Sequence, residues 1–285
     1  MIDALIFDSG VGGLSVSADI RRRMPWLSLG YVCDNAALPY GTKDDAWLVA
    51  RIVAVCESAC RQARPRALVI ACNTASTLAL EALRARLSMP VIGTVPAIKP
   101  AAETTRSRTI GLLATRATVR RPYLDRLIDD HARGCRVIRV AADTLVIEAE
   151  RLLKGQAVDP ARVREAIAPL RAAEEIDAVV LGCTHFPLLH DYLEPLLPSG
   201  VHWIDSGAAI ARRLESVLWG DSAPADRPAL AAAAEAEERA IPSPDANSWA
   251  TAASAPGLAS ALMRFGYAPP AMLEIASPAV AVHVS

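Results

Sequence analysis

The sequence predicts an α/β protein made of two pseudo-symmetric lobes, each with a mainly parallel sheet and with an active site in the cleft between them. Strand-like and helix-like segments alternate along the chain of 285 residues, which is typical of βαβ units. Two short apolar runs end in a small residue, a cysteine and then a threonine, at Cys72 and again 111 residues later (183 − 72) at Cys183. Such runs are typical of buried parallel strands, whose carboxyl ends bind ligands in open α/β sheets. We therefore expect both thiols in the cleft.

The first lobe is predicted over residues 1–95 together with about 208–285. Short apolar runs indicate its strands, and longer segments with helical apolar spacing indicate its helices. In order, the segments are a strand 4–8, a glycine-rich turn 9–13, a helix to 23, a strand 27–34, a loop around 39–41, a helix 44–63, a strand 67–71, a helix 76–87, a strand 91–94, a helix 208–218, a helix 256–265 and a strand 272–275. Residues 220–255 are rich in Ala, Pro, Ser and Asp, which indicates a surface segment.

The second lobe is predicted over residues 96–207, after a crossing marked by Pro96 and Pro100. Its segments are a strand 109–114, a helix 119–131, a strand 136–141, helices 144–153 and 160–173, a strand 178–181 and a strand 201–205. Each lobe opens with a strand that ends in a polar loop, and each contains a strand–Cys–Thr element. This loose internal duplication predicts a cleft between facing strand ends, a preferred site for small ligands.

Composition excludes several classes of function. The net charge of −1 and the pI of about 6.5 give no basic footprint for nucleic acid. No apolar run reaches the roughly 18 residues that span a bilayer, and the start of the chain has no signal-peptide pattern. Six cysteines are too sparse for a disulfide scaffold, so we expect reduced thiols and a cytoplasmic protein. None of the three lysines, Lys43, Lys99 and Lys154, has a setting suited to a pyridoxal-phosphate Schiff base, and no cofactor is expected.

The two cysteines suit acid–base chemistry on opposite faces of one carbon atom. Inverting an amino-acid α-carbon without a cofactor needs one group to remove a proton and a second to deliver one on the other face. Both Cys72 and Cys183 precede helical patterns, and a helix N-terminus lowers a thiol pKa. We expect Asp8, which ends the first strand, to assist Cys72, and His185 to assist Cys183. The other four cysteines are interpreted as small buried apolar residues.

Neutral donors are expected to hold the carboxylates of the substrate. Amides and hydroxyls in the first turn of a helix bind anions readily. The candidates in such positions are Ser9, Asn73, Thr74 and Thr184. The loop with Thr115 and Thr118 and the turn Pro39, Tyr40 and Gly41 are further candidates, although each is also compatible with plain turn chemistry.

Two other interpretations of these motifs are weaker. The turn Ser9–Gly13 followed by Asp34 resembles a dinucleotide fingerprint, but Ser15 stands where that motif has its third glycine. A metal site at Cys183 and His185 lacks the second pair of Cys or His ligands that zinc sites use.

Together these motifs resemble the glutamate racemase family. The segments that carry the resemblance are Phe7–Val16, Leu38–Gly41, Ala71–Ser76, Gly182–Leu189 and Asp205–Gly207. Two further segments, 95–102 and 111–116, are similar to the proteobacterial branch in particular.

The resemblance implies a cofactor-independent interconversion of L- and D-glutamate that supplies D-glutamate for peptidoglycan. It implies that Cys183 takes the proton from L-glutamate and Cys72 takes it from D-glutamate, with Asp8 and His185 assisting. It also implies substrate contacts at Ser9, Tyr40, Gly41, Asn73, Thr74, Thr115, Thr118 and Thr184, and a homodimer of two-lobed subunits.

Some features of the family remain open in this sequence. Many members carry a glutamate of the second lobe near the substrate, and here Asp143, Glu148 and Glu150 are the candidates. Some relatives are activated by a peptidoglycan precursor and have a longer N-terminus than this chain. The rival functions are a racemase for aspartate or another acidic compound, a binding or regulatory protein on the same fold, and a redox protein. The last lacks support because Cys72 and Cys183 have no Cys-x-x-Cys spacing.

Overall fold

Two parallel sheets organise the computed structural model, which describes residues 2–220, 247–253 and 256–275. The strands are β1 (Ile2–Asp8), β2 (Leu29–Cys33), β3 (Pro65–Ile70), β4 (Val91–Gly93), β5 (Thr109–Ala114), β6 (Arg136–Ala141), β7 (Ala178–Leu181), β8 (His202–Ile204), β9 (Ser248–Ala250) and β10 (Ala271–Met272). The first sheet has the order β10-β9-β2-β1-β3-β4 and the second the order β6-β5-β7-β8. Every strand pairing in both sheets is parallel. The predicted α/β class, with parallel sheets in two sets, is confirmed.

Helices cover the faces of both sheets. The α-helices are α1 (Leu14–Arg23), α2 (Asp45–Ala63), α3 (Asn73–Arg86), α4 (Ile98–Thr104), α5 (Arg116–Val119), α6 (Pro122–His131), α7 (Asp143–Leu153), α8 (Pro160–Ala166), α9 (Ala168–Arg171), α10 (His190–Leu193), α11 (Gly207–Trp219) and α12 (Leu258–Arg264). Short 3-10 turns lie at Tyr40–Thr42, Phe186–Leu189 and Glu194–Leu196. None of the helices within the described ranges is both long and apolar enough to cross a membrane.

The central strands are buried on both faces, as the continuous apolar runs predict. All residues of β2, β5 and β7 are buried. Each sheet has an apolar cluster on either side, so the four clusters sandwich two sheets between layers of helices. This layering holds the carboxyl ends of β1, β3 and β7 in fixed positions, and these ends carry the polar residues considered below.

The chain crosses between the two sheets twice. The first crossing leads from β4 to α4, and the second leads from β8 to α11, which packs against α1 beside the first sheet. The hydroxyl of Ser206 donates a hydrogen bond of 2.5 Å to the carbonyl oxygen of Val95, which ties the two crossings together. Pro100 lies in the first turn of α4, where proline needs no intrahelical partner for its nitrogen, so a short helix begins where the sequence indicated only a crossing.

Three segment predictions were wrong in part. Part of the predicted surface segment 220–255 is a buried strand, since Ser248–Ala250 pairs with β2 through Trp249 and its neighbours; the residues from 221 to 246 lie outside the described residues. A three-residue strand is too short for periodicity to reveal. The predicted helix 119–131 begins only at Pro122, because Val119 ends the separate helix α5, and the predicted helix 160–173 divides into α8 and α9.

Candidate active site

The two cysteines lie at the carboxyl ends of central strands of different sheets. Cys72 follows β3 and immediately precedes α3, and Cys183 follows β7. Each is 7% exposed. The Cys183 sulfur is near enough to Cys72 to contribute to its pKa, so the two thiols face the same region. Two parallel sheets meeting at their strand ends bring together residues that are far apart in the chain.

Cys72 is held as a neutral thiol. Burial raises the pKa of Cys72 to about 12, and the negative charge of Asp8 adds to this effect. The amide of Ala75, in the first turn of α3, and the hydroxyl of Ser9 at 3.7 Å from the sulfur oppose it. A thiol with this pKa carries its proton at neutral pH and is prepared to donate it.

Cys183 has a basic neighbour instead. Its sulfur lies 3.7 Å from Nδ1 of His185, whose Nε2 lies 2.9 Å from Oε1 of Glu150. Burial lowers the pKa of His185, but the hydrogen bonds to Cys183 and Glu150 outweigh it and raise that pKa well above its usual value. Burial likewise raises the pKa of Glu150, but the hydrogen bonds from His185 and Lys154 lower it to about 2. The pair is therefore an imidazolium and a carboxylate, and an imidazolium beside Cys183 stabilises negative charge on its sulfur.

Glu150 also connects the two lobes. Its Oε1 accepts a hydrogen bond of 2.8 Å from the amide of Val11, in the glycine-rich turn of the first lobe. Of the three acidic candidates of the second lobe, Glu150 is the one that contacts His185. Glu148 is fully buried and accepts from the amide of Asp159, and Asp143 accepts from the amide of Arg116.

Asp8 forms a second connection between the lobes. Its Oδ1 accepts a hydrogen bond of 2.9 Å from the amide of Gly10, and its Oδ2 accepts one of 3.0 Å from the hydroxyl of Thr184. Burial raises the pKa of Asp8, although the positive charge of His185 and these hydrogen bonds counteract the shift. Asp8 influences Cys72 through its charge, whereas the hydrogen bonds that it accepts come from Gly10 and Thr184.

Two glycines of the turn allow this close approach. A Cβ atom on Gly12 would lie 2.4 Å from Nδ1 of His185 and 2.5 Å from the hydroxyl of Thr184. A Cβ atom on Gly10 would lie 2.2 Å from Oε1 of Glu150. Any side chain at either position would therefore displace the histidine or its carboxylate.

Two of the candidate binding residues, Asn73 and Thr74, directly follow Cys72 in the first turn of α3. Asn73 is 5% exposed, and its Oδ1 is buried without a hydrogen-bond partner. A buried acceptor without a donor is costly, so this atom is a candidate to receive an N–H group of a ligand. Thr74 follows it in the first turn of α3 and is also buried. Beside Cys183, Asn73 and Thr94 line a small cavity that leaves about 10 Å³ for the centres of water molecules, about the size of one water site.

The loop candidates lie in or beside elements that pack against α3, the helix that begins after Cys72. Thr115 caps α5, and its hydroxyl lies 3.1 Å from that of Thr118. Helix α5 packs against α3 and against the 3-10 turn that contains Gly41 and follows Pro39. Tyr40 differs, because its hydroxyl donates a hydrogen bond of 2.7 Å to Asp34. This hydroxyl could donate to a substrate carboxylate only if the bond to Asp34 broke.

The Asp34 network is a feature that the sequence did not reveal. This fully buried carboxylate is held by Arg51 at 2.7 Å and by the hydroxyl of Thr251 at 2.6 Å, in addition to Tyr40. Thr251 follows β9, so the C-terminal segment supports the loop before Tyr40. The spacing of Asp34 after the glycines suggested only a comparison with dinucleotide sites, and no local pattern connects it to residues 17 and 217 positions away.

All six cysteines are free thiols. Cys33, Cys56 and Cys60 are buried as interpreted, but Cys135 is only half-buried, because it lies in the exposed turn before β6. In the part of the chain that the structure describes, no three His, Cys, Asp or Glu side chains are grouped so that they could hold a metal ion.

The sequence of this chain matches a known family model and several curated proteins. The family model described as Asp/Glu/Hydantoin racemase matches residues 16–214. Among curated relatives, the chain is 50% identical over 210 residues to a glutamate racemase of Sodalis glossinidius, covering 73% of this chain and 72% of the relative. It is 52% identical over 216 residues to a glutamate racemase of Klebsiella pneumoniae, covering 75% and 76%.

Solved structures agree with this relationship. The Escherichia coli glutamate racemase in complex with L-glutamate and the activator UDP-MurNAc-ala superimposes with a TM-score of 0.85 at 39% identity, covering 97% of this chain and 100% of that chain. The isoform RacE1 of Bacillus anthracis, also a glutamate racemase, superimposes with a TM-score of 0.72 at 28% identity, covering 97% and 98%.

Proposed function

Because the chain belongs to the Asp/Glu/Hydantoin racemase family and is an amino-acid racemase, we propose that it interconverts L- and D-glutamate with two thiols and without a cofactor. The relatives at 50% and 52% identity, which are glutamate racemases, support glutamate as the substrate. The observation that carries the mechanism is the unequal setting of two facing thiols, one holding its proton and the other beside a charged histidine.

With L-glutamate, the Cys183 thiolate removes the α-proton, and the S–H of Cys72 delivers its proton to the opposite face. The products are D-glutamate, a Cys183 thiol and a Cys72 thiolate, so no proton is lost overall. With D-glutamate the roles of the two sulfurs are reversed. His185 stabilises the thiolate form of Cys183, which takes the proton in the reaction of L-glutamate and is left after proton delivery in the reaction of D-glutamate.

The remaining polar residues orient the substrate. Asn73 Oδ1 accepts an N–H of the substrate ammonium group, which would satisfy its unpaired position. The amides and hydroxyls of Ser9, Thr74 and Thr184 and the Thr115–Thr118 pair hold the carboxylates. Thr115 and Thr118 lie on a separate helix from the thiols, which suits recognition of the distant carboxylate of glutamate.

The biological setting follows from this activity. The product D-glutamate would serve peptidoglycan synthesis, and thiols that must stay reduced suit an enzyme of the cytoplasm. The Escherichia coli structure contains the activator UDP-MurNAc-ala, so we propose that a peptidoglycan precursor of that kind also stimulates this enzyme. We further propose a homodimer, which sedimentation of the purified protein would test.

The first experiment follows the reaction in deuterated water with no cofactor added. We expect L-glutamate to lose optical rotation while deuterium enters the α-position, as measured by NMR. L-aspartate is the matched substrate control, because it differs by one methylene group. Racemisation of aspartate but not glutamate would contradict the substrate assignment, and exchange only after addition of UDP-MurNAc-ala would establish activation.

The same assay tests the mechanism. Racemisation that survives in the Cys183→Ala variant at the wild-type rate would refute the two-thiol proposal. A Cys135→Ala variant is the matched control, because this half-buried thiol lies outside the site.

A further inference from the structure

Lys154 is a half-buried lysine that the reaction proposed above does not use. It caps the C-terminus of α7, and its Nζ lies 2.7 Å from Oε2 of Glu150. Its side chain is 19% exposed and that of Glu150 is 8% exposed. The other oxygen of the same carboxylate contacts His185, so Lys154, Glu150, His185 and Cys183 form one continuous chain of contacts.

Residues of the C-terminal part of the protein contact the backbone at and next to Lys154. Gly257, which has φ +84°, approaches so closely that a Cβ atom on it would lie 2.6 Å from the carbonyl oxygen of Lys154. Arg264 of α12 donates a hydrogen bond to the carbonyl oxygen of Leu153. Both residues lie beyond the segment 16–214 that the family model matches.

A racemase needs His185 to serve Cys183 in two protonation states. In one direction the sulfur must be a thiolate, and in the other it must be a thiol. Without a nearby cation, the buried carboxylate of Glu150 would favour the imidazolium form of His185 so strongly that this histidine would be held in one protonation state. A cation on the far oxygen of that carboxylate weakens this preference.

We propose that Lys154 is a positioning residue that sets the charge balance of the Glu150–His185 pair and thereby the pH range in which Cys183 works. This inference rests on the proposed racemase function. Lys154 acts through Glu150 and does not touch the substrate.

Other charges that face the pair set the background. Asp8, Tyr31 and Cys33 of the first sheet interact electrostatically with Glu150 or with His185. Cys183 contacts His185 from the second lobe, and Cys72 faces Cys183. All of these groups are neutral or negative, whereas Lys154 is a cation in direct contact with the carboxylate of the pair.

The test replaces Lys154 with methionine, which retains the length of the side chain but removes its charge. The Lys154 nitrogen is separated from His185 by one carboxylate group, so at an effective dielectric constant of about 20 we expect the high-pH limb of kcat/KM to move up by about one pH unit. Lys154→Arg, which keeps the positive charge, should retain the wild-type pH profile of kcat/KM. Lys99→Met is the matched control, because Lys99 forms an exposed pair with Glu103 at the same four-residue spacing, 4.0 Å apart.

A second measurement does not depend on activity. The five histidines of the chain can be labelled with nitrogen-15, and the resonances of His185 can be assigned with a His185→Gln variant. In the absence of glutamate, we expect Lys154→Met to shift the titration of His185 to higher pH and Lys99→Met to leave it unchanged. If Lys154→Met does not fold, Lys154→Gln provides the same loss of charge with a polar group.

The outcomes separate this inference from the proposed function. A uniform loss of kcat/KM at every pH, with an unchanged His185 titration, would mean that Lys154 is only structural and would overturn the inference. A shifted His185 titration in a protein that does not racemise glutamate would overturn the proposed function while leaving the electrostatic role of Lys154 intact.

Discussion

The buried pair of Glu150 and His185 should make the free energy of unfolding fall as the solution is acidified. The substitution Glu150→Gln should remove this part of the pH dependence. The pKa of Glu150 is lowered from 4.5 to about 2 in the folded protein. A folded-state pKa below the unfolded value stabilises the fold above about pH 4.5, and this contribution is lost as the pH falls toward 2. A difference of about 2.5 pH units corresponds to about 3 kcal/mol, of which about 2 kcal/mol is lost by about pH 3.

The substitution Glu150→Gln should therefore lower the free energy of unfolding by up to about 3 kcal/mol near pH 6, and by only about 1 kcal/mol near pH 3. In the wild-type protein His185 has a raised pKa and stays protonated throughout this window. Urea unfolding followed by tryptophan fluorescence at the two pH values measures the gap.

The matched control is Glu81→Gln. Glu81 pairs with Arg84 at 3.0 Å, but its side chain is 88% exposed. Solvent screens such a pair, so we expect a change of less than about 0.5 kcal/mol at either pH. If the wild-type protein and the Glu150→Gln variant differed by the same amount at both pH values, the Glu150 carboxylate would not carry the proposed pH dependence.

Four further substitutions test the site. Replacing Cys72 or Cys183 with alanine should lower kcat by at least about 10²–10⁴-fold while circular dichroism stays unchanged, because each thiol is one half of a two-base system; near-normal turnover would refute this. Gly12→Ala should cost about 10²-fold in kcat/KM because the new Cβ displaces the site histidine, and a crystal structure with that ring unmoved would contradict the reasoning. Tyr40→Phe should cost about 1 kcal/mol of stability through the lost bond to Asp34, with kcat/KM within about threefold of wild type, and a larger kinetic loss would indicate a direct substrate contact.

Local sequence patterns were sufficient for the central strands. The strands over 109–114 and 178–181 have the predicted bounds, because continuous apolar runs between polar loops are typical of buried parallel strands. The edge strand over 136–141 also has the predicted bounds, although most of its residues are not buried. The same patterns did not reveal β9, and the predicted strand 272–275 overlaps β10 only at Met272. These strands are two or three residues long, so their positions depend on pairing, of β9 with β2 and of β10 with β9, and not on their own periodicity.

The candidate site divides in the same way. The chemistry of Cys72 and Cys183 was visible in the sequence because each cysteine ends an apolar strand, and strand ends of parallel sheets carry the ligands. The resemblance left Asp143, Glu148 and Glu150 open. All three lie in one helix, α7, and only the docking of that helix against the glycine-rich turn determines that Glu150 contacts His185 and Val11.

The sequence by itself determined the fold class, the repeated strand–cysteine element and the family. Each of these depends on residues that are close together in the chain, where periodicity and motif spacing are direct evidence. Only the tertiary structure decided that Cys72 holds its proton while Cys183 faces a charged histidine, and that Lys154 stands behind that histidine. These properties arise from burial and from contacts of Glu150 with His185 and with the amide of Val11, which lie 35 and 139 positions away in the chain, and no local pattern encodes how two lobes will meet.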